Sequence, residues 1–90
     1  MIELYTKNHC PYCVQAKMLL NKWDIPFKEK HIESTTGAKE FLKMQGHTTV
    51  PQIYRNGRLL VEGGYDGLVA LGKQQLNERL GNINVSDFKL

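Results

Sequence analysis

The chain has 90 residues, 41% of them apolar, which is one small domain with a single compact core and no room for a second lobe. A net charge of +3 and a pI near 9.0 make it mildly basic, but its 12 Lys and Arg form no block, so no nucleic-acid face is expected. No run of 18 apolar residues reads as a membrane span, and the first residues lack the basic-then-apolar layout of a secretory signal, so a cytoplasmic protein is expected.

The first element is a strand, Ile2-Glu3-Leu4-Tyr5-Thr6, with period-two alternation. A helix follows, with Cys10 as N-cap, Pro11 at the first helical position, and an apolar stripe at Cys13, Ala16, Leu20 and Trp23. Ile25-Pro26 is expected to stop it, because a residue before proline avoids helical ψ. Phe27 to Ile32 reads as a second strand, polar enough for a sheet edge. Thr36 or a near neighbour is expected to cap a second helix with inner residues Ala38, Phe41, Leu42 and Gln45, stopped by Gly46. Gln52–Arg55 and Arg58–Val61 flank Asn56-Gly57, a strong two-residue hairpin signal. Gly63-Gly64 breaks the second hairpin strand. Asp66 reads as N-cap of a last helix carrying Leu68, Leu71, Leu76 and Leu80 and ended by Gly81. Residues 82–90 are assigned to a C-terminal tail, and 1–81 to the domain. Asn84-Val85-Ser86 matches a glycosylation triplet but is read as chance without a secretory signal. The expected fold is α/β, a four-stranded mixed sheet in the order β-α-β-α-β-β-α, flanked by helices.

The chemistry centres on Cys10-Pro11-Tyr12-Cys13, which holds the only two cysteines. A Cys-x-x-Cys at a strand-to-helix junction reads as a redox pair. A thiol with the ordinary pKa of about 8.5 is only roughly 3% thiolate at pH 7, so a nucleophilic cysteine needs its anion stabilised. A helix N-terminus does this for Cys10, and the Lys7 ammonium adds to it. Cys13, one turn further in, is the candidate resolving thiol. Two alternatives stand beside this reading: a reduced structural pair, and a zinc site drawing on His9, His31 or His47, whose spacing matches no zinc-finger pattern.

Thr48-Thr49-Val50-Pro51 opens the third strand. A cis Val50–Pro51 bond there would leave the Val50 backbone free to pair with an extended peptide; an ordinary strand-initiating proline is the plainer alternative. Gly63-Gly64-Tyr65-Asp66 opens the last helix and offers a backbone cradle for a carboxylate.

Tyr5-Thr6-Lys7 before Cys10-Pro11-Tyr12-Cys13, together with Thr49-Val50-Pro51-Gln52 and Gly63-Gly64-Tyr65-Asp66, resembles the glutaredoxin family over about residues 2–80. The resemblance implies a thioredoxin fold and glutathione-dependent reduction of protein and glutathione-mixed disulfides, with ribonucleotide reductase a plausible client. It implies that Cys10 attacks, that Cys13 resolves, and that Pro51 is cis. The glutathione site it implies is Lys7, Tyr12, Thr49, Val50, Pro51, Gly64, Tyr65 and Asp66. No bound cofactor or metal is implied, glutathione being the reducing co-substrate of a monomer with no nucleic-acid or membrane partner. Many members carry an acidic or hydroxyl residue after the position of Asp66. Gly67 stands there, so Gly67→Asp is expected to restore a lost glutathione contact. Pro11 favours the dithiol electron-donor branch over cluster-binding members. The rival functions are a thioredoxin-like donor served by a flavoenzyme reductase and a non-enzymatic metal or iron–sulfur carrier.

Overall fold

A computed structural model describes residues 1–81. The elements are β1 (Ile2–Thr6), α1 (Pro11–Lys22), β2 (Phe27–His31), α2 (Ala38–Met44), β3 (Gln52–Arg55), β4 (Arg58–Val61) and α3 (Gly64–Arg79). The sheet runs β2-β1-β3-β4. Strand β1 pairs in parallel with β2, Ile2 opposite Phe27 and Thr6 opposite His31, and antiparallel with β3, Leu4 opposite Ile53. Strands β3 and β4 form the antiparallel hairpin, with a register shift between Ile53 and Tyr54. This is the expected mixed thioredoxin-like sheet, with polar β2 at its edge.

Alternation along β1 sorts the core into two layers. Ile2 and Leu4 join Ala16 and Leu20 of α1, Ile53, Val61, and Leu68 and Leu76 of α3. Tyr5, on the opposite pleat, joins Tyr54 and the α2 residues Ala38 and Leu42, with Phe41 packed alongside. Ile2, Leu4, Leu20, Ile53, Leu68 and Leu76 are wholly buried, each contributing roughly 1.5–3 kcal/mol relative to exposure. Tyr5, Phe41 and Tyr54 pack ring against ring, with centroids 5.2–5.7 Å apart.

Several boundaries differ from the sequence expectation. Helix α1 ends at Lys22, short of Pro26. Asp24 turns left-handed (φ 57°), and the Ile25 amide reaches back to the Leu20 carbonyl at 3.0 Å, closing the helix first. No side chain caps α2; the chain enters it through Gly37, with the Ala38 amide donating to the Thr35 carbonyl. Gln45 is not an inner residue but the exposed end of α2. Asp66 is not the N-cap of α3, because Gly63 already occupies that position and helical backbone starts at Gly64. Asp66 instead places its charge in the first turn, where a helix favours an anion. Gly72 interrupts α3 with non-helical backbone (φ 81°, ψ 164°), a kink the leucine spacing did not foretell. The 82–90 tail and the 84–86 triplet lie outside the described residues.

Candidate active site

Four pieces of chain meet at one end of the sheet: the turn after β1, the start of α1, the segment before β3, and the start of α3. Cys10 is the N-cap of α1, and its Sγ accepts the Cys13 amide at 3.2 Å. Its carbonyl accepts from the amides of Cys13 and Val14 at 3.1 and 3.2 Å. The Cys13 amide at the helix start is thus shared between the Cys10 carbonyl and the Cys10 sulfur, and an N–H aimed at the sulfur favours a thiolate. Cys10 and Cys13 are joined as a disulfide, their Cα atoms 5.2 Å apart. Cys10 is 9% exposed and Cys13 2%, so an incoming substrate meets Cys10.

Cys10 Sγ lies 3.8 Å from the Val50 carbonyl oxygen. The Val50–Pro51 peptide bond is cis. Two hydrogen bonds fix the segment that carries it. The Gln52 side-chain amide donates to the Thr49 carbonyl at 3.1 Å. His47 Nε2 pairs with the Tyr54 hydroxyl at 2.6 Å. Burial pushes the Tyr54 phenol above its ordinary range, so it keeps its proton at neutral pH and can donate to the imidazole.

A cleft of about 260 Å³ opens on one side of Val50, lined by Tyr12, Thr49, Val50, Pro51, Gln52, Gly63, Gly64, Tyr65 and Asp66. The Tyr12 and Tyr65 rings stack at 6.0 Å and wall it, Tyr12 being 61% exposed. Glycine is required at residue 64, because a Cβ there would stand 2.9 Å from the Pro51 carbonyl oxygen. Seven of the eight candidate binding residues thus line one cleft. Lys7 does not. It lines the pocket on the other side of Val50 and also the groove beside Cys10 and Cys13.

That groove also contains Lys17, Glu29 and His31. Thr6 donates its hydroxyl to Glu29 Oε2 at 2.6 Å, and Lys17 bridges to the same oxygen at 3.1 Å. The Thr6 hydroxyl first, then Lys17, hold the Glu29 carboxyl below the usual range despite an opposing desolvation. Among the described residues, no three His, Cys, Asp or Glu side chains converge as a metal site would require. Nor is any described helix long and apolar enough to cross a membrane.

Sequence reasoning gave Gln52 no role of its own and misread Gly67. Gln52 is a buried polar side chain; its signal was an amide at the first position of β3, directly before Ile53-Tyr54 and three residues past Thr49. Gly67 was read as a missing side chain. The structure overturns that reading: a Cβ at residue 67 would run into the Glu62 carbonyl oxygen, so the site has space only for glycine and Gly67→Asp would disrupt rather than restore.

Comparison with known proteins gives a consistent result. The glutaredoxin family matches residues 2–60. Glutaredoxin 3 of Escherichia coli is 42% identical over 71 residues, covering 78% of this chain and 83% of that protein. The crystal structure of glutaredoxin 1 from Francisella tularensis superposes with a TM-score of 0.67 at 31% identity, covering 84% of this chain and 95% of that one. The buckwheat glutaredoxin–glutathione complex superposes with a TM-score of 0.72 at 20% identity, covering 90% and 76%, a likeness of fold.

Proposed function

The chain belongs to the glutaredoxin family of thiol–disulfide oxidoreductases, and we propose that Cys10 and Cys13 reduce protein and glutathione-mixed disulfides with electrons drawn from glutathione. The observation that carries this reading is the Val50 carbonyl 3.8 Å from Cys10 Sγ, with a cleft on either side. An extended tripeptide whose cysteine pairs with the Val50 backbone delivers its sulfur to Cys10. Its γ-glutamyl end lies toward Tyr65, Asp66 and the first amides of α3, and its glycine carboxylate toward Lys7.

The chemistry follows from the two exposures. The Cys10 thiolate attacks a disulfide sulfur and expels one thiolate, leaving a mixed disulfide on Cys10. When the bound partner is glutathione, a second glutathione attacks and releases oxidised glutathione. When it is a protein, Cys13 attacks Cys10 Sγ, the client thiolate leaves, and glutathione then reduces the Cys10–Cys13 disulfide. Ribonucleotide reductase is a client of the right kind.

The test is a coupled assay of NADPH oxidation with bis(2-hydroxyethyl) disulfide as substrate, run once with glutathione and glutathione reductase and once with thioredoxin reductase alone. Turnover with the first system is expected. Turnover only with the second would replace this reading by that of a thioredoxin-like donor.

A further inference from the structure

We infer that this protein favours client disulfides whose attacked cysteine is followed by acidic residues, which dock in a cationic pocket beside Val50. This deepens the proposed reduction and rests on the same orientation of substrate along Val50.

The pocket, of about 190 Å³, is lined by Lys7, Lys39, Lys43, His47, Thr48 and Thr49 over a floor of Ile32, Leu42 and Val50. No carboxylate is among these residues. The two salt bridges among the described residues use other lysines, Lys17 with Glu29 and Lys30 with Glu3. Among the described residues, Lys7, Lys39 and Lys43 therefore reach the pocket without a carboxylate in bridging range. Their convergence is built by the fold. Residues 39 and 43 are one turn apart on α2, and Ala38, Leu42 and the Tyr5–Phe41–Tyr54 rings hold that helix against the sheet. The His47–Tyr54 hydrogen bond holds the fourth wall.

The cleft on the other side of Val50 has the opposite character, its one charged side chain being Asp66. A chain lying across Val50 thus meets cations at one end and an anion at the other. With glutathione's cysteine at Val50 and its glycine toward Lys7, the residue that follows the attacked cysteine points to the cations. One terminal carboxylate engages Lys7, while Lys39 and Lys43 offer further charge that a longer acidic segment can use. Such complementarity selects partners and speeds encounter, and it weakens with salt.

In the reaction, the Cys10 thiolate attacks the sulfur of the acid-flanked cysteine and the client's other thiolate leaves, taking a proton from water. Cys13 then displaces the client and forms the Cys10–Cys13 disulfide. Two electrons pass from the protein dithiol to the client.

Single-turnover reduction by the pre-reduced protein tests this without glutathione. Three peptides carry one internal disulfide, with Glu-Glu, Gln-Gln or Lys-Lys directly after the second cysteine. A fourth carries Glu-Glu before the first cysteine. Each rate is divided by that with dithiothreitol, which removes intrinsic differences in disulfide reactivity. The Glu-Glu peptide is expected to react roughly tenfold faster than the Gln-Gln peptide at low salt, the Lys-Lys peptide slower, and the fourth peptide no faster than Gln-Gln. The advantage should shrink at 0.5 M NaCl and disappear in the Lys39→Gln/Lys43→Gln variant. Equal normalised rates, or a preference that survives in that variant, would overturn the inference. Failure of the coupled glutathione assay would instead strike the proposed function and leave this measurement standing.

Discussion

Replacing Gly67 by alanine should destabilise the protein and weaken its glutathione site together. The added Cβ would meet the Glu62 carbonyl oxygen, with the Glu62 carbonyl carbon at 2.8 Å and Val61 Cγ1 at 3.5 Å. A flexible side chain could swing away, but the Glu62 carbonyl is backbone of the short turn that joins β4 to α3 and cannot move without displacing that turn. The first turn of α3 must lift instead. Overpacking of this kind costs about 1–3 kcal/mol, and the backbone obstacle argues for the upper end. Leu68, the next residue, is wholly buried, and any lift strips part of its roughly 1.5–3 kcal/mol of burial. A total near 3 kcal/mol corresponds to a Tm lower by about 12–24 °C in a domain of this size. The same turn carries Gly64, Tyr65 and Asp66, so KM for glutathione should rise. Circular dichroism melts and the coupled assay measure both effects. Val69→Ala, at a half-exposed position two residues on, should move Tm by only a few degrees. A Gly67→Ala Tm within about 3 °C of wild type, or tighter glutathione binding by Gly67→Asp, would refute the packing argument.

Cys10→Ser should abolish all turnover, while Cys13→Ser should keep reduction of glutathione-mixed disulfides and lose reduction of protein disulfides; the reverse pattern, read in the two assays side by side, would exchange the roles. Lys7→Gln should slow iodoacetamide alkylation of Cys10 at pH 6 by less than about tenfold, because an exposed ammonium is screened whereas the Cys13 amide sits on the sulfur at 3.2 Å. A larger loss would make Lys7 the main source of thiolate stabilisation. Glu29→Gln should lower stability at neutral pH and have little effect in acid. The folded-state pKa of Glu29 is depressed below the reference 4.5, so its contribution is present above that pH and fades as the pH falls through the depressed value. Urea melts of both proteins from pH 7 down to pH 3 should converge, and a constant difference would show that the Thr6–Glu29–Lys17 contact works through packing alone.

The fold was legible where side-chain pattern and backbone preference agree. Ile2 and Leu4 alternate against Glu3 and Tyr5, Asn56-Gly57 accepts the positive φ of a tight hairpin, and Cys10-Pro11 starts a helix; each appears as read. Boundaries failed where a backbone turn acted before the expected side chain could. Asp24 ended α1 ahead of Pro26, and Gly63 began α3 ahead of Asp66. The site divides along the same line. Cys10 and Cys13 could be recognised because their chemistry is written in their side chains. Gly67 could not, because its role is to have none, and the Glu62 carbonyl that demands this belongs to a residue whose side chain is irrelevant. Lys39 and Lys43 stand in the sequence only as two of twelve Lys and Arg that form no block. Only the docking of α2 on Tyr5 and Tyr54 turns them toward Lys7 and His47, and its contact with Tyr5 joins residues more than thirty positions apart in the chain. Exposed cations read singly from a sequence carry no direction; the packing beneath them supplies it, and with it the distinction between a solvated face and a surface that chooses its partner.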